Sequence, residues 1–73
     1  MDLTGFRVTV IRTSHSEHML AGPVPVIDEG PFYRIAGTYI FDKFKIKAVE
    51  RAGGQVTVHM KDGDVVLTVV EEE

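Results

Sequence analysis

The chain has 73 residues, of which 44% are hydrophobic and 26% are charged, and it contains no cysteine. This length allows one small domain, the composition is typical of a folded globular protein, and the lack of cysteine excludes disulfides and thiolate metal sites. The net charge of −3 argues against general nucleic-acid binding, although residues 34–61 carry six basic and two acidic side chains and residues 62–73 carry five acidic ones.

The N-terminal part of the sequence predicts one strand followed by polar and proline-rich segments. Residues 6–10 alternate apolar and polar side chains, the period of a strand with one buried face. Residues 13–18 are polar without a period, which predicts a loop or a single helical turn. Residues 21–32 contain all three prolines, so this segment is expected to be extended and to lie at a sheet edge or in a surface loop.

Turn signals in the C-terminal third predict an antiparallel meander of three strands. Asp62 and Gly63 form a strong two-residue hairpin signal, and their placement in the loop fixes which residues face each other. The resulting register sets Met60 opposite Val65, Val58 opposite Leu67 and Val56 opposite Val69. All three pairs are apolar, so this register is self-consistent.

The segment 43–52 is predicted to be the strand before this hairpin, because three lysines alternate with apolar residues from Lys43 to Ala48. A three-residue loop at 52–54 sets Ala48 opposite Val58 and Ile46 opposite Met60. The alternative is a helix at 43–52, with Asp42 as its cap and a glycine as its terminator.

These elements predict a single all-β domain over residues 1–73. Its form is a small rolled sheet or barrel of about five strands with the C-terminal antiparallel meander, and one short helical turn is expected near residues 14–20. The helix at 43–52 would instead give an α+β fold.

The predicted register leaves uncharged side chains on the outward face of the meander, where a monomer has no reason to expose them. They are Val49, Thr57, Val66, Thr68 and Val70. We therefore expect a non-enzymatic binding or assembly module that acts through protein–protein contacts, as an oligomer subunit or an adaptor. The partner would be another protein or a second copy of the chain.

The alternative hypothesis is a small nucleic-acid-binding barrel with a basic strand face. Its candidate residues are Lys45, Lys47, His59 and Lys61. Basic grooves follow phosphates along a strand of nucleic acid, but alternating lysines also keep exposed strands soluble.

No arrangement of residues points to catalysis, and neither an enzymatic activity nor a cofactor is expected. Ser14, His15 and Ser16 lie together without a nucleophile motif or an orienting acid. His15 and His18 can share one side of a turn, but three imidazoles without a thiolate favour no tightly bound metal. The sequence shows no signal peptide or membrane span, which makes a cytoplasmic location without membrane contact the expectation.

Overall fold

The structure, a computed structural model, describes residues 3–70, and over these residues the chain forms seven β-strands and one short 3-10 turn. The strands are β1 (Arg7–Arg12), β2 (Glu17–Asp28), β3 (Phe32–Ile35), β4 (Tyr39–Asp42), β5 (Ile46–Ala52), β6 (Gln55–Met60) and β7 (Gly63–Val70). The 3-10 turn (Lys43–Lys45) joins β4 to β5. The predicted all-β fold and its C-terminal antiparallel meander are confirmed, with seven strands where about five were expected.

All seven strands belong to one antiparallel sheet. Their spatial order is β4-β3-β2-β1-β7-β6-β5. The pairing of β1 with β7 joins the N-terminal strands to the C-terminal meander and places Arg7 opposite Val70. The sheet is not closed, because β4 and β5 each have a neighbouring strand on one side only.

Strand β2 is twelve residues long because it takes part in two regions of the sheet. Its first part pairs with β1 and its last three residues pair with β3. Pro23 lies in the stretch where the β1–β2 register is irregular, and there a missing N–H donor breaks no ladder bond. The predicted extended segment is found as the end of β2 and the loop after it, and residues 24 and 25 pair with β1 alone, as at a sheet edge, although β2 as a whole lies between β1 and β3 in the sheet order. The helical turn expected near 14–20 is wrong, since β2 begins at Glu17.

One buried cluster lies on the inner side of the sheet. It includes Phe41 of β4 and Val58 of β6, which are far apart in the strand order. The sheet therefore curves around the buried cluster. No polar or charged residue of the described chain is buried. The buried residues are Leu3, Val8, Ile11, Val26, Tyr33, Ile35, Phe41, Val56, Val58, Val65, Leu67 and Val69.

The loop of the hairpin between β6 and β7 lies one residue earlier than predicted, which changes the register of the two strands by two residues. This loop is Lys61 and Asp62, and Gly63 already pairs with Met60 as the first residue of β7. Gly63 has a φ of 132°, a conformation that other residues rarely adopt. The predicted partners are therefore wrong: Val58 faces Val65 instead of Leu67. A shift of two residues nevertheless keeps every side chain on its predicted face.

Strand β5 replaces the alternative helix at 43–52, of which only Lys43–Lys45 is helical. Its loop to β6 has two residues, because Ala52 pairs with Gln55, and the predicted three-residue loop is wrong. Ala48 consequently faces His59 instead of Val58. The predicted pairing of Ile46 with Met60 is correct, since a register shift at Lys47 compensates for the shorter loop.

Candidate functional site

We use the name outer face for the side of β2, β1, β7, β6 and β5 that points away from the buried cluster. Strand β7 lies at its centre, with two strands on either side. Three consecutive outward positions of β7 are Val66, Thr68 and Val70, while the residues between them are buried. This strand is therefore uncharged on both of its faces over most of its length.

Two rows of side chains cross all five strands of the outer face. One row is Met19, Val10, Thr68, Gln55 and Ala52, and the other is Glu17, Arg12, Val66, Thr57 and Glu50. Residues directly opposite each other on paired strands have neighbouring side chains on the same face. The central strand thus contributes the uncharged Val66 and Thr68, Val10 and Arg12 lie beside them, and both ends of the second row are acidic.

Four of the five residues predicted to form a protein interface do share the outer face: Thr57, Val66, Thr68 and Val70. Val49 does not, because it pairs with Val58 and packs against the buried cluster. The physical reason is the two-residue loop between β5 and β6, which shifts the register by one position and so turns Val49 to the inner side.

Two residues of the outer face were missed by the sequence analysis. Val10 turns outward because Thr9 is an extra residue in β1, opposite no partner on β7. The adjacent apolar pair Val10 and Ile11 is the one signal of this bulge in the sequence. Met19 lies opposite Val10 in a segment where a short helical turn was expected, and it is 81% exposed.

Charged groups lie on both sides of the uncharged residues of β7 on the outer face. Arg12 of β1 forms an ion pair with Glu17 of β2, with a distance of 3.5 Å between Nε and Oε2. On the other side, His59 of β6 lies between Glu50 and Asp64, at 3.2 Å and 3.0 Å from its two ring nitrogens. Hydrogen bonds to these two carboxylates raise the pKa of His59 above 6.5.

The residues proposed for nucleic-acid binding do not form one strand face. Lys45 belongs to the 3-10 turn and lies beside Lys61, whose backbone N–H donates to the Lys45 carbonyl oxygen at 3.0 Å. The ammonium of Lys45 lies 3.9 Å from Asp42 and 3.7 Å from Asp62. Lys47 is exposed at the register shift of β5, and His59 belongs to the acidic group described above. Asp42 and Asp62 therefore lie near the ammonium of Lys45, and Glu50 and Asp64 lie beside His59, so carboxylates are interspersed among these basic residues.

His18 of β2 contacts one residue of the β1–β2 loop and one residue of β4. Ser16 Oγ lies 3.2 Å from Nε2 of His18, and the ring of His18 is 5.3 Å from that of Tyr39. Over residues 3–70, no three His, Asp or Glu side chains are grouped so that they can hold a metal ion. The expected lack of a tight metal site stays a prediction, which elemental analysis of untagged protein tests.

A second group of exposed apolar residues lies on the other part of the sheet. Ile27 and Ile40 flank Arg34 across β2, β3 and β4. Arg34 is held there by Glu29 at 3.0 Å and stacks on the ring of Phe32. Ile27 and Ile40 are exposed to a degree similar to Val70, so they provide a suitable control surface.

None of the helical residues in the described range forms a helix long and apolar enough to cross a membrane. Comparison of the chain with protein families, with curated proteins and with solved structures found no match.

Proposed function

We propose that the chain is a non-enzymatic assembly module that acts through protein–protein contacts, with the outer face as its interface and a second copy of the chain as its partner. One observation carries the proposal. Met19 of β2 is 81% exposed and lies opposite Val10 of β1. Val10 in turn lies opposite Thr68, one of the uncharged outward residues of β7. A thioether and valines on one sheet face gain free energy when they leave water, about 1.5–3 kcal/mol for each fully buried side chain.

The distribution of charge on the outer face supports an interface with a core and a rim. Protein interfaces are depleted of charged residues at the centre and are polar at the edge. Here Val66 and Thr68 lie on the central strand and Val10 lies opposite Thr68, while Arg12 lies opposite Val66 and its partner Glu17 lies further out on β2.

The dimensions of the molecule allow an interface of ordinary size. A specific interface buries about 800 Å² on each partner. The chain measures 28 × 27 × 23 Å and exposes 4588 Å², so one broad side provides an area of this order. Association also has to offset the translational and rotational entropy that the two copies lose. Burial of the apolar residues of the outer face is the contribution that favours association.

The proposal is tested by sedimentation equilibrium over a concentration series. We expect the wild-type chain to self-associate and the double variant Val66→Lys, Val70→Lys to remain monomeric, because lysines at the centre of the interface would be buried without partners. Circular dichroism must show that the variant keeps its strands, which is expected for outward positions.

The matched control is the double variant Ile27→Lys, Ile40→Lys on the other part of the sheet, where 47% and 49% of these residues are exposed. It should associate like the wild type. A wild-type chain that is monomeric at every concentration would contradict self-assembly. Equal loss of association in both double variants would contradict the outer face as the interface.

A further inference from the structure

We infer that His59, Glu50 and Asp64, which we call the His59 cluster, form a proton-dependent switch on the outer face, so that acidification strengthens self-association. This inference rests on the proposed self-assembly and concerns the regulation of the same interface. The juxtaposition that carries it is one imidazole held between two carboxylates, beside the uncharged outward residues of β7.

The His59 cluster lies on the outer face and adjoins its central strand. His59 alternates with two buried valines along β6, so its ring points outward. Asp64 is the outward residue that precedes Val66 on β7, and Glu50 belongs to the row of Val66. An interface that covers Val66 therefore covers or borders the His59 cluster.

Protonation changes both the charge and the hydrogen bonds of the His59 cluster. Nδ1 of His59 lies 3.0 Å from Asp64, and Nε2 lies 3.2 Å from Glu50. The protonated ring donates to both carboxylates and leaves the cluster with one net negative charge. The neutral ring has a single N–H, so one carboxylate loses its donor and the cluster carries two negative charges.

Association favours the protonated ring for two reasons. Transfer of a carboxylate out of water costs free energy, and this cost is lower when the carboxylate accepts a hydrogen bond from a cation. The two copies also have the same net charge, −3 each when the histidines are neutral, and each added proton reduces their repulsion.

The carboxylates of the His59 cluster depend on His59 for their cation. Within residues 3–70, His59 is the one basic side chain paired with Glu50 or Asp64. Strand β5 also carries Lys47, which is exposed at the register shift, and Arg51, which lies opposite a buried valine of β6 and so belongs to the inner side.

The other charges near the cluster lie in the loop after β6 and on β1. Lys61 and Asp62 form the loop, and the Asp62 carboxylate lies 3.7 Å from a lysine ammonium of the 3-10 turn. On β1, Arg12 lies two strands from His59 and pairs with Glu17. These side chains keep their charge between about pH 5.5 and about pH 8, because carboxylic acids titrate below this range and lysine and arginine above it.

Sedimentation equilibrium of the full chain at about pH 5.5 and about pH 8 measures the effect. The two carboxylates raise the pKa of His59 above 6.5, and association raises this pKa further, so the gain in affinity is complete below pH 6.5 and is lost above the raised pKa. We expect a dissociation constant about tenfold lower at the acid pH, the factor that a further rise of about half a unit in each copy produces. Circular dichroism at both pH values ensures that folded chains are compared.

Three variants separate the His59 cluster from other effects of pH. Glutamine keeps an amide donor without the charge, so His59→Gln should associate at both pH values as weakly as the wild type does at about pH 8. The double variant Glu50→Gln, Asp64→Asn removes both negative charges and should associate at both pH values as tightly as the wild type at about pH 5.5. The control double variant, His15→Gln, His18→Gln, should keep the pH dependence of the wild type.

The outcomes distinguish the switch from the proposed function. Association that is equal at both pH values, or stronger at about pH 8, would overturn the switch and leave self-assembly standing. An equal pH dependence in the wild type and in His59→Gln would have the same meaning. A wild-type chain that is monomeric at both pH values over the whole concentration series would overturn both.

Discussion

The Nδ1 atom of His59 lies 3.0 Å from the carboxylate of Asp64 on the neighbouring strand. Its Nε2 atom lies 3.2 Å from Glu50 on the opposite side. A neutral imidazole has one N–H and donates to one carboxylate, whereas the protonated ring donates to both. The remaining charged residues on the flanking segments are Lys47 and Arg51 of β5, and Lys61 and Asp62 of the loop after β6.

We predict that the folded state loses stability as the pH rises through the pKa of His59. The two carboxylates raise this pKa above its unfolded value of 6.5, so the stabilisation is fully present below pH 6.5 and is lost above the raised pKa. Urea unfolding at a series of pH values measures the change as a falling midpoint. The control is His59→Gln, which keeps one amide donor without the titration while His15 and His18 remain. A midpoint that falls equally in both proteins would contradict the prediction.

A second prediction concerns the register of the β6–β7 hairpin. Thr57 lies directly opposite Val66, and directly opposite residues have Cα atoms about 4.5–5.5 Å apart, within the range of a disulfide. The double variant Thr57→Cys, Val66→Cys should therefore oxidise to an intramolecular disulfide. The control is Thr57→Cys, Thr68→Cys, which would be opposite only if Asp62 and Gly63 formed the loop. Faster closure of the control pair would show that the register is wrong.

A third prediction concerns the turn between β3 and β4. Ala36 is the one non-glycine residue of the described chain with a positive φ, at 57°, and Gly37 follows with 71°. A turn with two positive φ values favours Asn-Gly. Ala36→Asn should therefore stabilise the fold by about 0.5–1 kcal/mol, since asparagine tolerates this conformation better than alanine. Thermal unfolding should show a rise of about 2–8 °C. Ala36→Val should lower the melting temperature, and a rise in both variants would contradict the argument from strain.

A fourth prediction concerns the nucleic-acid hypothesis. We expect weak binding to mixed single-stranded RNA and DNA, because Lys45 lies between Asp42 and Asp62 and these carboxylates oppose phosphate. Fluorescence anisotropy at low salt measures the affinity. Tight binding that falls steeply with added salt, and that is lost in Lys45→Glu, Lys47→Glu, would favour nucleic-acid binding over assembly.

Alternation predicted the inner faces of β6 and β7 correctly because it has a period of two. Val58 and Leu67 point inward whether the loop is Lys61 and Asp62 or Asp62 and Gly63, since the two registers differ by two residues. Local sequence did not distinguish these loops, because both contain residues that favour turns. The observed register places Gly63 at a position that requires a φ of 132°. The choice of this register depends on the whole hairpin and not on any single dipeptide.

The outer face was harder to predict because a change of one residue reverses a side chain. The loop around Gly53 decides whether Val49 points inward or outward, and a glycine-rich segment permits loops of two or three residues. The extra residue at Thr9 turns Val10 outward in the same way. The outward position of Met19 depends on the irregular pairing of β1 with β2. No local sequence pattern indicates which residues of these two strands lie opposite each other.

The adjacency of β1 and β7 has a consequence for how the chain folds. Every other pairing joins strands that follow each other in sequence, whereas Arg7 and Val70 come from the two ends of the described chain. The ladder between them therefore closes nearly the whole chain into a loop, and such distant contacts slow folding. A circularly permuted chain, cut in the 3-10 turn and joined between β7 and β1, would run from β5 through β7 and β1 to β4 in their spatial order. Each strand would then find its neighbour next in sequence, and the slow closure would be removed.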